Sequence, residues 1–294
     1  MHPQEYESSG MITERMKNTR YYLLLMMPVP AFIISLFFGN YPISPGDVLQ
    51  TLMTFPPPDE GIISTAQVLF GIRIPRILLA MVIGAALSVS GACFQGIFRN
   101  PLVSPDILGL SAGAAFGSAL CVAFLGHFPI IISAFVFALI ALGFAYLMAY
   151  QKGSTSVTAL VLSGVITAAV FEALLTSIQF AVSERALQDI VFWTMGSLNT
   201  ATWGKVYVTA PLIVGGSVLI YLMRWRLNVL ALGDDDARAL GMKTEQNKAI
   251  FIVIGSLVAS VAVAAAGIIG LVGLIVPHVV RMVIGPDHRL LIPA

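Results

Sequence analysis

Long apolar runs separated by short polar stretches fill this chain. They fall at about 21–39, 75–98, 107–125, 128–149, 157–182, 205–223 and 249–269, with a shorter, interrupted run over 270–285. Runs of about 20 apolar residues match the hydrocarbon thickness of a bilayer. In lipid every backbone N–H and C=O must be paired within the protein, so each run reads as a helix or a buried broken helix. Ten-residue segments of alternating polarity are missing, which argues against an outer-membrane barrel. The pattern predicts an all-α integral membrane protein of about eight spans, with residues 1–294 forming one transmembrane domain.

Composition agrees. Hydrophobic residues make up 57% of the chain and charged residues 11%, far from the usage of soluble domains. A net charge of +1, with no clustering of the basic residues, argues against nucleic-acid binding. Cys93 and Cys121 lie inside apolar runs without metal-site spacing and read as small buried side chains. The first run follows Arg15, Lys17 and Arg20. It is too long for a signal-peptide core and no small-x-small cleavage site follows it, so it reads as an uncleaved first span.

Charge sets the orientation. With residues 1–20 in the cytoplasm, only Arg73, Arg76, Arg185 and Lys205 of the 16 Lys and Arg residues fall outside. The other twelve fall inside, a clear positive-inside bias. "PPPDEG" and "GSLNTAT" then read as outer loops and "QKGSTS" as an inner one. Small residues recur every fourth position at Gly84, Ser88, Ala92 and Gly96, and again at Gly109, Gly113 and Gly117. Such stripes let helix backbones approach closely, so spans two and three are expected inside the bundle.

The chain has no GxxxxGK[ST], HExxH or GxSxG, and its four histidines are scattered. Any nucleotide hydrolysis must belong to another chain. The densest polar feature is "LALGDDDARALGMKTEQNK", in the inner loop 224–248. It predicts two short helices. Asp234, Asp235 and Asp236 suit the first one's N-terminus, where they can cap free N–H groups and meet the positive dipole end. Gly241 suits a left-handed residue after its end. Ala237 and Leu240 should share a face, and Thr244 should cap the second helix, running to Lys248. The segment is either a solvated loop or a compact docking element for a soluble partner.

Three stretches carry a family resemblance: "IRIPRILLAMVIGAALSVSGACFQGIFRNPLVSPDILGLSAGAAFG", "LALGDDDARALGM" and "GLVGLIVPHVVRMVIGPDHRLLIP". In order and in register they resemble the iron-siderophore, haem and cobalamin permeases of ATP-binding-cassette importers, from about residue 40 to the end. The resemblance implies the helical bundle of a type II importer permease in the cell inner membrane. It implies pairing with a second, identical or related permease, two cytoplasmic ATPase subunits that hold ATP and Mg, and an outer substrate-binding protein. No cofactor is expected in this chain, and it is a transporter subunit rather than an enzyme.

Residue by residue, the resemblance implies ATPase coupling by Leu230, Gly233, Asp234, Asp235, Asp236, Ala237, Arg238, Leu240 and Gly241. The LALG and ARxLG parts match the family; the triple aspartate is particular to this chain. Arg73 and Arg76 would pair with carboxylates of the binding protein, a role suited to the planar fork of arginine, or else simply anchor a helix end. Asn100, Leu102 and Thr158 would belong to a cytoplasmic gate, although "FRNPLVSP" also reads as a tight inner turn. Glu172, Thr176, Gln179 and Ser183 share one helical face. They line the translocation path if Glu172 meets a cavity. The alternative is a Glu172 buried against a neighbouring helix. Residues 187–199 resemble a short extra helix after span five that helps form the outer gate. Pro277 should kink the last apolar stretch, and His278 is structural.

Family members continue through two more spans, so the resemblance implies exposed apolar surface where those would pack. Two rivals remain: a secondary transporter driven by protons through Glu172, and a remnant that does not transport. Iron-siderophore is the expected cargo, with haem, cobalamin or an oxyanion as alternatives.

Overall fold

A computed structural model describes residues 18–39, 41–53, 65–151 and 154–294. The expectations resting on His2, Arg15, Lys17, Lys152 and "PPPDEG" lie outside the described residues. The fold is all-α. In chain order the helices are α1 (Asn18–Phe37), α2 (Pro45–Met53), α3 (Thr65–Phe98), α4 (Leu110–Leu125), α5 (Ile130–Ala149), α6 (Val157–Ala181) and α7 (Glu184–Thr194). They continue as α8 (Trp203–Leu222), α9 (Arg224–Leu232), α10 (Asp234–Ala239), α11 (Thr244–Ala266), α12 (Val272–Ile284) and α13 (His288–Leu291). A two-residue antiparallel pairing, Tyr150↔Thr155 and Gln151↔Ser154, closes the turn between α5 and α6.

Among the described residues six helices (α1, α3, α5, α6, α8 and α11) are long and apolar enough to cross a membrane, and α4 and α12 are shorter apolar helices. Successive spans run antiparallel, so two ends alternate. One end carries Arg99, Arg224, Arg226, Arg238, Lys243, Lys248 and Arg289 and is called the basic end. The opposite end carries Arg73, Arg76, Arg185 and Lys205.

The small-residue stripes explain part of the packing. A side chain at Gly113 or Gly117 would strike α5: the added Cβ would stand 2.6 Å from the Phe137 carbonyl oxygen in one case and from the Ser133 carbonyl oxygen in the other. In α3, Ala92 and Gly96 are buried, whereas Gly84 faces open space. The tightest approach falls beside that stripe. A Cβ on Gly91 would lie 1.8 Å from the Gly273 carbonyl oxygen of α12.

The same contact accounts for Pro277. Proline has no N–H to return to the carbonyl four residues earlier, which is that of Gly273. The freed carbonyl abuts Gly91, where a missing side chain makes room for it. Pro277 therefore sits inside α12 without ending it. The break in the last apolar stretch falls earlier than expected, across Gly267–Leu271, where Gly267 has φ +75° and Leu271 φ +68°. Here the Ser197 N–H donates to the Ala266 carbonyl at 2.7 Å, so the loop after α7 satisfies backbone that no helix serves.

α11 is the central element. Sixteen of its 23 residues are buried, and they pack against α3, α5 and α8. An apolar groove of about 360 Å³ runs between α3 and α8, with Ile292 and Pro293 among its lining.

Candidate functional site: the hairpin at the basic end

The acidic stretch folds as α9, a turn at Gly233, and α10. Gly233 has φ +129° and ψ +162°, a conformation open only to glycine. A Cβ there would also meet Arg99 Nη1 at 3.2 Å. The sharp corner thus lies against the turn that joins α3 to α4. Asp234, Asp235 and Asp236 occupy the first turn of α10, where the dipole favours them. None of the three caps the helix: the N-cap is Gly233 and no side-chain cap bond forms. At the other end Gly241 has φ +80°. The Gly241 N–H donates to Arg238 O at 2.9 Å and the Met242 N–H to Ala237 O at 3.0 Å. This is the paired closure expected of a left-handed glycine after a helix.

Two further sequence expectations fail here. Ala237 is fully buried while Leu240 is 67% exposed, because Leu240 has left the helix and turned outward. Thr244 caps nothing and begins no short helix. It is the first residue of α11, which runs unbroken into the bundle, and its Oγ1 accepts from Arg238 Nε at 3.3 Å.

A residue with no assigned role organises the hairpin. Lys248 is buried, and its Nζ meets Asp234 Oδ2 at 2.5 Å and Glu245 Oε1 at 3.5 Å. The other Glu245 oxygen, Oε2, accepts from the Thr155 N–H at 2.9 Å. One chain of contacts therefore links α10, α11 and the strand entering α6. Arg238 stands 3.7 Å from Asp235 and 4.0 Å from Glu245, half-exposed. Asp235 and Asp236 project outward, as does Leu232, while Leu230 is on the buried face of α9.

A second joint holds α9 from behind. Asn228 Oδ1 accepts from the His288 N–H at 2.9 Å and pairs with His288 Nδ1 at 2.8 Å. Asn228 Nδ2 donates to Asp287 Oδ1 at 2.6 Å. An amide oxygen can only accept, so Nδ1 carries the imidazole proton. The ring is buried with Nε2 against Gly96 of α3. Burial, followed by the Arg281 charge, pushes the imidazole down to about 4. Burial alone would raise the Asp287 carboxyl. Hydrogen bonds from the Arg289 side chain and backbone and from Asn228 outweigh it and bring the group to about 2.

The other predicted residues are dispersed. Asn100 and Leu102 share one exposed turn, where Asn100 Oδ1 accepts from the Leu102 N–H at 3.0 Å. Thr158 is exposed in the first turn of α6. Glu172 and Thr176 are exposed and Gln179 half-buried, on the side of α6 away from Leu160, Gly164, Phe171 and Ile178. Among the described residues Glu172 has no side-chain partner on a neighbouring helix. Arg73 does not face outward. Its guanidinium is buried, donating to the carbonyls of Leu36 at 2.7 Å and Tyr41, so it pins the chain after α1 and is not free to meet a partner. Arg76 is half-buried and lines an open cavity of about 350 Å³ with Ile72 and Tyr41.

This architecture is matched by the description "FecCD transport family" over residues 24–294. The chain belongs to the FecCD transport family. Among curated FecCD relatives, the cobalamin import system permease of Halobacterium salinarum is 41% identical over 79% of this chain and 64% of its own length. The molybdate import system permease of Haemophilus influenzae is 37% identical over 92% of this chain and 81% of its own. This FecCD chain thus spans about two thirds to four fifths of these relatives. An inward-facing structure of a metal-chelate type ABC transporter superposes with a TM-score of 0.79 at 35% identity, covering 93% of this chain and 83% of that one.

Proposed function

We propose that the chain is the membrane-spanning permease subunit of an ATP-binding-cassette importer and moves an iron-siderophore complex into the cytoplasm by alternating access. The observation that carries this reading is the Asp234–Lys248–Glu245–Thr155 chain. It makes the surface hairpin rigid with the central helix α11 and with the start of α6, so a push on α10 reaches the bundle. Rigid coupling is what a subunit without its own nucleotide site needs. Asp235, Asp236, Arg238 and Leu240 then form the outward contact with a cytoplasmic ATPase that binds ATP and Mg. Work reaches the substrate only because the partner favours one arrangement of the bundle over the other.

In this reading the basic end faces the cytoplasm of the inner membrane, with the N-terminus on that side. Asn100, Leu102 and Thr158 gate that side. Two permeases meet across the exposed face of α6, with Glu172, Thr176 and Gln179 toward the path, and Arg76 serves the docked binding protein. The similarity to a metal-chelate transporter supports a chelated metal as cargo. Relatives named for cobalamin and molybdate make those the first competitors.

The test is uptake into proteoliposomes holding the permease, its ATPase and its binding protein. ATP-dependent accumulation of a labelled ferric siderophore, exceeding that of cobalamin, haem or molybdate, is expected. Uptake without the ATPase, driven by a proton gradient and lost in Glu172→Gln, would replace this reading with a secondary transporter.

A further inference from the structure

Behind the hairpin, on the side away from the acids, lies an open cavity of about 640 Å³. Its walls are Trp225, Arg226 and Val229 of α9, the turn Leu240–Lys243, and the first turns of α11 with Asn247 and Ile250. That volume is within the range of small-ligand sites. Two lining residues carry charge, Arg226 and Lys243, and both are cations. Arg226 Nη1 donates to Asn247 Oδ1 at 3.1 Å, and neither cation has a carboxylate within ion-pair reach among the described residues. The neighbouring acids are engaged elsewhere. Asp234 and Glu245 hold Lys248, and Asp287 holds Arg289. Asp235 and Asp236 on α10 form no part of the lining.

The depth of the cavity is fixed by its surroundings. α8 ends at Leu222 and α9 begins two residues later. Arg224 stacks over the Tyr221 ring at 3.9 Å, and Trp225 is 60% exposed. Aromatic residues with adjacent cations mark the headgroup level of a bilayer. From the cavity an apolar track leads into the membrane. Ile250 is exposed on its rim, and Val253, one turn deeper on α11, is exposed too. A soluble anion would use the cations and leave this track idle. A lipid uses both.

We propose that this cavity binds the headgroup of an anionic phospholipid from the leaflet at the basic end. Arg226 and Lys243 meet the phosphate, Trp225 covers the glycerol region, and an acyl chain follows Ile250 and Val253. The cavity shares the Leu240 turn with the proposed ATPase contact, but lipid retention is read on the permease alone, without cargo or ATPase, so the proposal stands or falls separately from the transport reading.

The experiment is native mass spectrometry of the detergent-purified permease, titrated with phosphatidylglycerol or phosphatidylcholine. The wild type should retain phosphatidylglycerol selectively. Arg226→Gln with Lys243→Gln should weaken that retention about 30-fold, at about 1 kcal/mol for each headgroup-level cation. The control Arg185→Gln, at the opposite end, should change nothing. Unaltered melting of the double variant in phosphatidylcholine shows that it is folded. If instead it melts early, the single Lys243→Gln, on an exposed side chain, carries the test with a loss of about fivefold. Equal retention of both lipids, or unchanged retention in the variants, overturns the proposal. Displacement by millimolar inorganic phosphate overturns the lipid source in favour of a free anion. Protection of a cysteine at position 243 by the purified ATPase, but not by lipid, assigns the cavity to the protein partner and overturns it likewise.

Discussion

Two joints hold the surface hairpin to the bundle, and they work on different physics. The front joint is ionic. Lys248, buried, joins Asp234 and Glu245. The rear joint is nearly neutral. Asn228 ties the backbone and imidazole of His288 and steadies Asp287. A buried ion pair adds little net stability over an apolar replacement, yet breaking it costs much because one charge is stranded. A buried neutral network costs less to disturb but responds to protonation of its one titratable ring. The hairpin is therefore held by charge at the front and conditionally on pH at the rear.

Breaking the front joint should have the largest effect. Lys248→Met leaves Asp234 without its cation and Glu245 with only the Thr155 N–H and Arg238, and should destabilise the protein by about 3 kcal/mol. Asp234 keeps partial contact with water, so the effect should not exceed that value. Loss of helical circular dichroism against denaturant in detergent measures it, and a change under 1 kcal/mol would show that the joint bears no load. Adding Asp234→Asn should recover part of the loss. At the rear, Asn228→Leu removes the acceptor of two hydrogen bonds and the donor of a third, leaving the His288 groups buried without partners. The expected cost is about 2–3 kcal/mol. Equal losses from the two joints would erase the distinction between them.

Very little of this distinction could be read in the sequence, although the surrounding frame could. Periodicity and length located the six long apolar helices and the two shorter ones among the described residues, because lipid forces each apolar run to satisfy its own backbone. Gly241 was legible because a left-handed helix end has few substitutes. Lys248, Asn228 and His288 were not, since each meets its partner across 14 to 60 residues of chain and nothing local marks a buried lysine. Arg73 misled for the same reason. An arginine beside Pro75 at the opposite end looked free, and only the fold shows its guanidinium turned back onto carbonyls 32 and 37 residues earlier. Pro277 was legible as a disruption inside the last apolar stretch, but the way it is tolerated was not: Gly91, on a distant helix, accommodates the carbonyl it frees.

Acid separates the joints next. The folded imidazole of His288 titrates at about 4 against an ordinary 6.5, so below 6.5 the unfolded chain binds the proton that the folded chain refuses. Stability is full above pH 6.5 and falls as pH drops toward 4, by about 2 kcal/mol at pH 5. Asp287 titrates at about 2 when folded. Its contribution is complete above about pH 4, so it leaves this window alone. Asp106, raised by burial and partly offset by Ser111, acts with the opposite sign. The clean measurement is thus the difference in melting between the wild type and His288→Gln from pH 7 to 5. A slope that survives the substitution would remove His288 from the account.

The smallest expected effect on stability is the one with most bearing on function. Asp235 and Asp236 follow Asp234 in sequence yet make no contact with Lys248, and the Asp235 side chain is fully exposed. Its contact with Arg238, at 3.7 Å across one helical turn, is of the kind that contributes little. Asp235→Asn with Asp236→Asn should shift unfolding by less than about 0.5 kcal/mol. If the front joint transmits force and these two acids receive it, the same pair should sharply lower permease-stimulated ATP hydrolysis while helix content and melting stay put. Lys248→Met would lower both together. If the double variant keeps full stimulation, the contact with the ATPase must be made elsewhere, and Leu240 with Arg238 would be the next surface to alter.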